Sequence, residues 1–234
     1  MQATIGALHR LGHRKIAIGE ERERNFIRHF LDRFGAAARE VLECTRAPHP
    51  PFLGDRRLEE LAVSEPLHAA LEGIAARQAE REAVTLAALL RRFGDDAEVE
   101  IRLSAYDHGW QTGDRIARVR PGGPIGPAEA YDLLAENYPD GIACCPSMRL
   151  LAEEESCTSW AQFGSEVLEG WARAGVPAEV MCSMVAFWCK GFGEGLNPEI
   201  VYRKGKSLAA GEPYLEGSYR LPGPGGEVPG EKVQ

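Results

Sequence analysis

The chain has 234 residues, a length typical of one large domain or of one domain with an additional smaller layer. Hydrophobic residues make up 44%, charged residues 26% and aromatic residues 8% of the chain. This composition excludes wholesale disorder, collagen-like repeats and disulfide-dense scaffolds. The net charge of −8 argues against nucleic acid as the main partner, because surfaces that bind nucleic acid neutralise phosphates with positive charge.

The sequence shows no sign of a membrane span or of an export signal. No apolar run approaches the roughly 18 residues that a spanning helix needs, so we expect no membrane partner. Residues 1–15 lack the long apolar core and the cleavage site of a signal peptide. We therefore expect a cytoplasmic protein with free thiols. Apolar area on its N-terminal helices is compatible with a homodimer.

Residues 1–95 are predicted to form a helical N-terminal region. Apolar residues within 16–44 recur at spacings of three, four and seven, which places them on one helical face. Three prolines and a glycine interrupt this pattern over 46–55. The helical pattern then resumes over about 56–93, and Gly94 is a plausible stop signal.

The following segment is predicted to be extended. Apolar and polar residues alternate over 98–106 and again over 114–120, and this period of two is typical of a half-buried strand. The segment between them contains turn residues, so we expect a hairpin with His108 in an exposed turn. Pro127 suits the first turn of a short helix, and 141–146 resembles a brief strand.

The C-terminal part is predicted to contain two helices and a hairpin. A stripe of apolar residues predicts a helix over 156–175. The next helix, at about 178–190, is apolar nearly all round and therefore expected to be buried. Residues 197–221 have the pattern of strand, turn and strand, and 222–234 the composition of a flexible tail.

These elements predict an α+β fold within one compact domain. The helical layer is expected to pack with an antiparallel sheet formed from about 98–120 and 199–220. Helices at 160–174 and 178–190 would cover one face of that sheet. In this scheme 96–221 is the α+β region that carries the binding or catalytic site.

Five of the six cysteines fall within residues 144–189, which makes thiols the first candidates for chemistry. Cys182 lies near the start of the buried helix, where unsatisfied backbone N–H groups stabilise a thiolate. Cys189 lies two turns later on the same face. Cys145 precedes a proline and can face a pocket, and His108 can accept a thiol proton. The alternative for each cysteine is a small buried hydrophobic side chain.

The remaining motifs in the sequence do not identify a function by themselves. Glu153, Glu154 and Glu155 are predicted to form a solvated acidic loop, although a carboxylate there can act as a general base. The glycine-rich segments do not follow the order of a dinucleotide-binding loop, and no phosphate-binding loop or G-x-S-x-G elbow is present. Nucleotide binding and serine hydrolysis therefore have no support.

Short motifs follow one another in the last third of the chain. They are Cys145-Pro146, a helix with two cysteines, Gly195-Leu196-Asn197-Pro198-Glu199, and Ser207-Leu208-Ala209-Ala210-Gly211-Glu212. In this order they resemble the L-2-amino-thiazoline-4-carboxylic acid hydrolase family, over roughly residues 140–221. The resemblance implies a small hydrolase that opens a five-membered 2-aminothiazoline ring and forms a carbamoyl-cysteine product.

The chain departs from that family at two positions. Family members often carry an acidic residue three positions after the helix cysteine, where this chain has Val185 if Cys182 is the match. They also often carry a cysteine in the last strand, where this chain has Tyr214-Leu215-Glu216. The general acid or base therefore stays open.

The leading hypothesis is a hydrolase that acts on a cyclic amidine-like C–N or C–S bond of a small molecule. Cys182 or Cys145 would attack the carbon between nitrogen and sulfur, or would hold the site while a carboxylate activates water, with Cys189 and His108 in the same site. Guanidinium groups can bind a substrate carboxylate. Substrate binding is predicted for Arg149, Trp188, Asn197 and Arg203.

Two further hypotheses remain open. A helix lined by Met181, Met184, Phe187 and Trp188 can form the cavity of a sensor domain, and the segment is faintly similar to vinyl-reductase-type ligand-binding domains. A thiol-metal or redox protein is the other alternative. However, the spacing of Cys145, Cys157 and Cys182 matches no structural zinc signature, so we expect no metal and no other cofactor.

Overall fold

A computed structural model describes residues 6–46, 53–54, 56–64, 66–140, 147–163 and 166–222. Within these ranges the chain forms eight α-helices and one four-stranded sheet, which confirms the predicted α+β fold. None of the helices in these ranges is long and apolar enough to cross a membrane. The strand predicted over 141–146, which contains Cys145, and the tail beyond Pro222 lie outside the described residues.

The chain divides into two compact units. The first unit takes residues up to 104, 136–147 and 164–181, and the second takes 105–135, 148–163 and 182 onward. The helices are α1 (Ala7–Phe34), α2 (Ala36–Arg46), α3 (Leu58–Ser64), α4 (Leu67–Phe93), α5 (Asp95–Val119), α6 (Pro127–Asn137), α7 (Glu166–Arg173) and α8 (Ala178–Leu196). The strands are β1 (Met148–Glu154), β2 (Cys157–Gln162), β3 (Val201–Lys204) and β4 (Leu215–Arg220).

The first unit confirms the predicted helical N-terminal region. Its apolar positions meet in a buried cluster of Ile16, Leu53, Leu58, Leu61, Leu67, Leu71 and Ile74. Gly35 ends α1 and Gly94 ends α4, with φ values of +55° and +56°. Such positive φ values favour glycine, which explains why α1 and α4 stop at these two residues.

Ion pairs run through the interior of the first unit. The guanidinium of Arg22 donates to both oxygens of Glu82 at 2.9 and 2.7 Å, and Trp171 Nε1 donates to the same carboxylate at 3.2 Å. Arg81 donates to Glu23 in a second buried pair. Burial raises the pKa of Glu23, against the opposing effect of Arg81. These charges are held by their partners inside the helical bundle.

The hairpin predicted over 98–120 is wrong, because these residues form the single helix α5. The buried positions Ala97, Ile101, Ala105, His108 and Thr112 follow a helical period of three or four rather than two. Acidic residues in the first turn of α5 complement the helix dipole. His108 is consequently 3% exposed in mid-helix and not in an exposed turn.

The helix predicted over 156–175 is also wrong in its first half. Residues 157–162 form β2, and the helix α7 starts only at Glu166. Trp160 belongs to a strand in which Thr158, Trp160 and Gln162 are all buried, a spacing of two. The acidic run at Glu153 and Glu154, predicted to be a loop, belongs to β1.

The sheet is antiparallel throughout, with strand order β1-β2-β4-β3. Its β3–β4 pair confirms the strand, turn and strand predicted over 197–221, and α8 confirms the predicted buried helix. One face, here called the inner face, is formed by Thr158, Trp160, Gln162 and Tyr219. It packs on α6 through the Trp160 and Tyr131 rings, 5.7 Å apart. It packs on α8 through Tyr219, whose hydroxyl donates to the Cys189 carbonyl at 2.7 Å.

In the second unit α5 and α8 pack backbone against backbone. Gly109 and Gly113 on α5 face carbonyl groups of α8, and Gly191 and Gly195 on α8 face carbonyl groups of α5. A Cβ atom at any of these four positions would lie less than 3 Å from a carbonyl oxygen of the opposite helix. The glycines within α5, which resemble turn residues in the sequence, are therefore required by the close approach of α8.

Candidate active site

The cavities that are lined by described residues include the following three. A groove of about 670 Å³ in the first unit runs between α4 and α7 and is lined by alanine, glycine and charged side chains. A cavity of about 20 Å³ beside Arg22 and Glu82 has room for a single water molecule. A cavity of about 370 Å³ in the second unit lies on the sheet, and it is the one of the three that contains a thiol.

The sheet cavity lies on the face opposite the inner face, here called the outer face. Cys157 begins β2 and pairs with Glu154 on β1 and with Arg220 on β4. Side chains directly opposite each other on antiparallel strands have Cβ atoms about 4.5–5.5 Å apart. Cys157, whose free thiol is half-buried, therefore has exposed Glu154 as its neighbour on one strand and Arg220 as its neighbour on the other.

The adjacent row of the outer face is polar as well. Ser159 on β2 pairs with Ser218 on β4, which in turn pairs with Arg203 on β3. Arg220 Nε donates to Ser218 Oγ at 3.4 Å. Two arginines, one lysine and three serines line this cavity together with Glu154 and Glu216. Its guanidinium groups are suited to recognising a carboxylate or another planar anion.

The two cysteines predicted on α8 are packed in the interior. Cys182 and Cys189 are each 1% exposed. Neither lines any of the three cavities. Their packing is that of small hydrophobic side chains, the alternative that the sequence left open. The predicted nucleophile Cys145 lies outside the described residues.

His108 is held by a hydrogen bond in the second unit. Trp188 Nε1 donates to His108 Nδ1 at 2.9 Å. An indole N–H can only donate, so Nδ1 accepts and the imidazole is neutral with its proton on Nε2. In this arrangement His108 can donate a hydrogen bond from Nε2 but cannot accept a proton at Nδ1, which does not suit a general base.

The four predicted substrate-binding residues lie in different surroundings. Arg149 lies over the Phe163 ring at 4.9 Å, and Trp188 stacks on Phe192 with ring centroids 5.1 Å apart. Asn197 Nδ2 donates to the Ile125 carbonyl at 2.9 Å, and its Oδ1 accepts the Glu199 N–H at 2.9 Å. Arg203 lines the sheet cavity.

The residues that surround the cavity thiol were missed from the sequence. The segment with Cys157 is predicted to be helical, and Glu154 is predicted to belong to a solvated acidic loop in which a carboxylate can act as a general base. Arg220 has no predicted role. In the structure buried Thr158 and Trp160 alternate with half-buried Cys157 and Ser159, but the residue types over 157–162 do not display this alternation. Their juxtaposition depends on strand register, which the sequence does not display.

Within the described parts of the chain, no three His, Cys, Asp or Glu side chains are grouped so that they could hold a metal ion. Comparisons with protein-family models, with curated proteins and with solved structures found no match. We therefore infer a function from the geometry of the outer face and from the sequence resemblance.

Proposed function

We propose that the protein is a small-molecule hydrolase that cleaves a C–N or C–S bond of a cyclic amidine-like substrate, with Cys157 as its nucleophile. The observation that carries this proposal is the half-buried thiol between Glu154 and Arg220 in a cavity of about 370 Å³. That volume lies within the range of about 300–1,000 Å³ typical of small-molecule sites. A thiol beside a carboxylate has the two groups that nucleophilic attack requires.

In the first half-reaction Glu154 accepts the proton of the Cys157 thiol. The sulfur then attacks the ring carbon between nitrogen and sulfur and forms a tetrahedral intermediate. When this intermediate collapses, the ring C–S bond breaks and Glu154 returns the proton to the leaving sulfur. The ring is open at this stage, and its former amidine carbon is bonded to Cys157.

In the second half-reaction water attacks the same carbon while Glu154 accepts one of its protons. The bond to Cys157 breaks, and the proton returns to the cysteine sulfur. The products are a carbamoyl compound and the regenerated thiol, and the net reaction consumes one water molecule. Breaking the ring C–N bond in the first half-reaction instead gives the S-carbamoyl isomer by the same steps.

The polar row beside Cys157 supplies the means to orient a substrate. Arg203 and Arg220 present guanidinium groups, which bind carboxylates with two parallel hydrogen bonds. Ser159 presents a hydroxyl that can donate to a developing negative charge. A carboxylate-bearing thiazoline is also the substrate that the resemblance of residues 140–221 implies.

The proposal is tested by incubating the purified protein with 2-aminothiazoline-4-carboxylate and measuring carbamoyl product by mass spectrometry. We expect turnover that C157S removes and that E154Q lowers by about 10²–10⁴-fold. R203K is expected to raise KM by about tenfold, because Lys cannot form the bidentate contact.

The matched controls are C44S, which removes an exposed thiol of the first unit, and C189S, which removes a buried thiol of the second. Both are expected to retain turnover. Full activity of C157S with loss of activity in C189S would place the nucleophile on α8 instead. Absence of turnover for thiazoline and related rings would reject the hydrolase.

A further inference from the structure

Strand β1 is an edge strand with an unusual surface. Among the described residues, no strand pairs with the edge of β1 that lies away from β2. Leu150 and Leu151 are 45% and 51% exposed at this edge, beside a bulge in the β1–β2 ladder. Glu153 and Glu154 form no ion pair with another described residue. An exposed edge of this kind is a template for another strand.

We propose that a second copy of this chain pairs antiparallel with β1, so that the two sheets continue into each other across a two-fold axis. The chemistry of β1 supports this occupant, because the strand carries Arg149 at its start and Glu154 at its end. Antiparallel pairing of two copies brings the start of one strand to the end of the other. The strand is therefore complementary in charge to itself, as an isologous interface requires.

The register follows from the faces of the sheet. Arg149 pairs with Ala161 and Glu154 pairs with Cys157, so both side chains lie on the outer face. Glu153 pairs with Thr158 and lies on the inner face. An axis perpendicular to the sheet matches outer face with outer face, so Arg149 faces the partner's Glu154 and not the partner's Glu153.

This register gives the interface a charged rim and an apolar centre. Two Arg149–Glu154 pairs form at its ends. Between them Leu150 lies opposite the partner's Glu153 on the inner face, and Leu151 faces the partner's Ala152 beside the axis. Charged side chains on an edge strand oppose pairing with unrelated strands. Here the same charges favour a second copy, because this register places each Arg149 opposite a Glu154 of the other copy.

The pairing also adds a residue to the outer face. Glu154 lines the sheet cavity, and the partner's Arg149 lies directly beside it in the continued sheet. The row across the interface becomes Arg220, Cys157, Glu154 and the partner's Arg149. Each cavity therefore has one wall completed by the other copy, whatever molecule the cavity binds.

The test is the molar mass of the full chain, measured by sedimentation velocity over a range of micromolar concentrations. We expect a dimer whose dissociation constant rises about a hundredfold or more in R149E and in E154R. Each substitution places like charges at positions 149 and 154 of the two copies, and the two-fold axis repeats this repulsion at both ends of the interface. The double variant R149E/E154R restores opposite charges and is expected to restore the dimer. Circular dichroism checks that each variant is folded.

R118E is the matched control, because it reverses an exposed arginine of α5 that lies outside the interface. A monomeric wild-type protein would overturn the proposal, and so would a dimer that survives both single reversals. L103E tests the exposed apolar face of α5, where Val99 and Leu103 are about half exposed. Loss of the dimer in L103E but not in R149E would place the interface on that helix and reject the pairing of β1.

Discussion

The two units of the molecule use charged residues in opposite ways. In the first unit the buried ionisable groups pair with one another, as Arg22 does with Glu82 and Arg81 with Glu23. In the second unit aromatic rings pack on the inner face of the sheet, and glycine contacts hold α5 against α8. Charged groups such as Arg203 and Arg220 line a cavity. Charge alone therefore does not distinguish the interior of the first unit from the cavity of the second, and it is the cavity and its thiol that led us to propose a site there.

The largest effect on stability is expected from breaking a buried ion pair of the first unit. R22M leaves the buried carboxylate of Glu82 without its guanidinium partner and is expected to lower the free energy of unfolding by about 3–5 kcal/mol. R22M/E82Q removes both charges but keeps an acceptor for Trp171, so we expect it to recover part of the loss. Urea unfolding followed by circular dichroism measures both variants.

R173M is the control, because it breaks an exposed pair of the same unit. The side chains of Arg173 and Glu169 are 72% and 66% exposed. We expect a change of at most about 0.5 kcal/mol, since surface pairs contribute little. Equal effects of R22M and R173M would remove the distinction between paired interior charge and surface charge.

The next effect concerns the glycine contacts of the second unit. G191A places a methyl group against the Tyr106 carbonyl oxygen, so α5 and α8 must separate. We expect the free energy of unfolding to fall by about 1–3 kcal/mol or more from this overpacking. G123A is the matched control in the same unit, because nothing lies within 4 Å of a Cβ at that position. A neutral G191A would show that the helix pair can relax.

A smaller effect is expected from N197A, which tests whether Asn197 of the second unit supports the fold or binds the substrate. N197A removes the hydrogen bonds to the Ile125 carbonyl and from the Glu199 N–H, for an expected loss of about 1–3 kcal/mol. Because Asn197 is held by backbone groups, we expect the KM of folded N197A to stay unchanged while that of R203K rises. Steady-state kinetics at a temperature where N197A is folded makes the comparison, and a raised KM in N197A would assign it to substrate binding.

The smallest effect depends on pH. The Tyr106 hydroxyl donates to Glu194 at 2.5 Å, and this bond, followed by burial, raises the pKa of Tyr106 from 10.0 to about 12. Because the folded value lies above the unfolded one, the contribution is complete below about pH 10 and is lost as the pH rises through about 12. We expect Y106F to cost about 1 kcal/mol or less at neutral pH, since the group is partly exposed.

The pH series of unfolding measurements compares wild type with Y106F. Their difference in free energy of unfolding is expected to be constant up to about pH 9 and to shrink above pH 10. A difference that grows with pH would mean that the phenolate, and not the phenol, is favoured in the folded state. Tyrosine absorbance near 295 nm gives an independent titration of the same group.

Errors in the predicted fold come from elements whose local pattern is ambiguous. Alternation over 98–106 fits a strand, but Ile101, Ala105 and His108 also share one helical face. Gly109 and Gly113 look like turn residues until the backbone of α8 is placed against them. For β2, the stripe that includes Trp160 was assigned to the following helix, and this error concealed the position of Cys157.

The sequence by itself determined the helical N-terminal region, the end of α4 at Gly94, the buried helix α8 and the C-terminal hairpin. Each of these depends on a local signal, such as an apolar face, a glycine with positive φ or a long apolar segment. Tertiary structure alone decided which cysteine lies between a carboxylate and a guanidinium. Glu154, Cys157 and Arg220 come from three strands, and only the register of their pairing brings the side chains together.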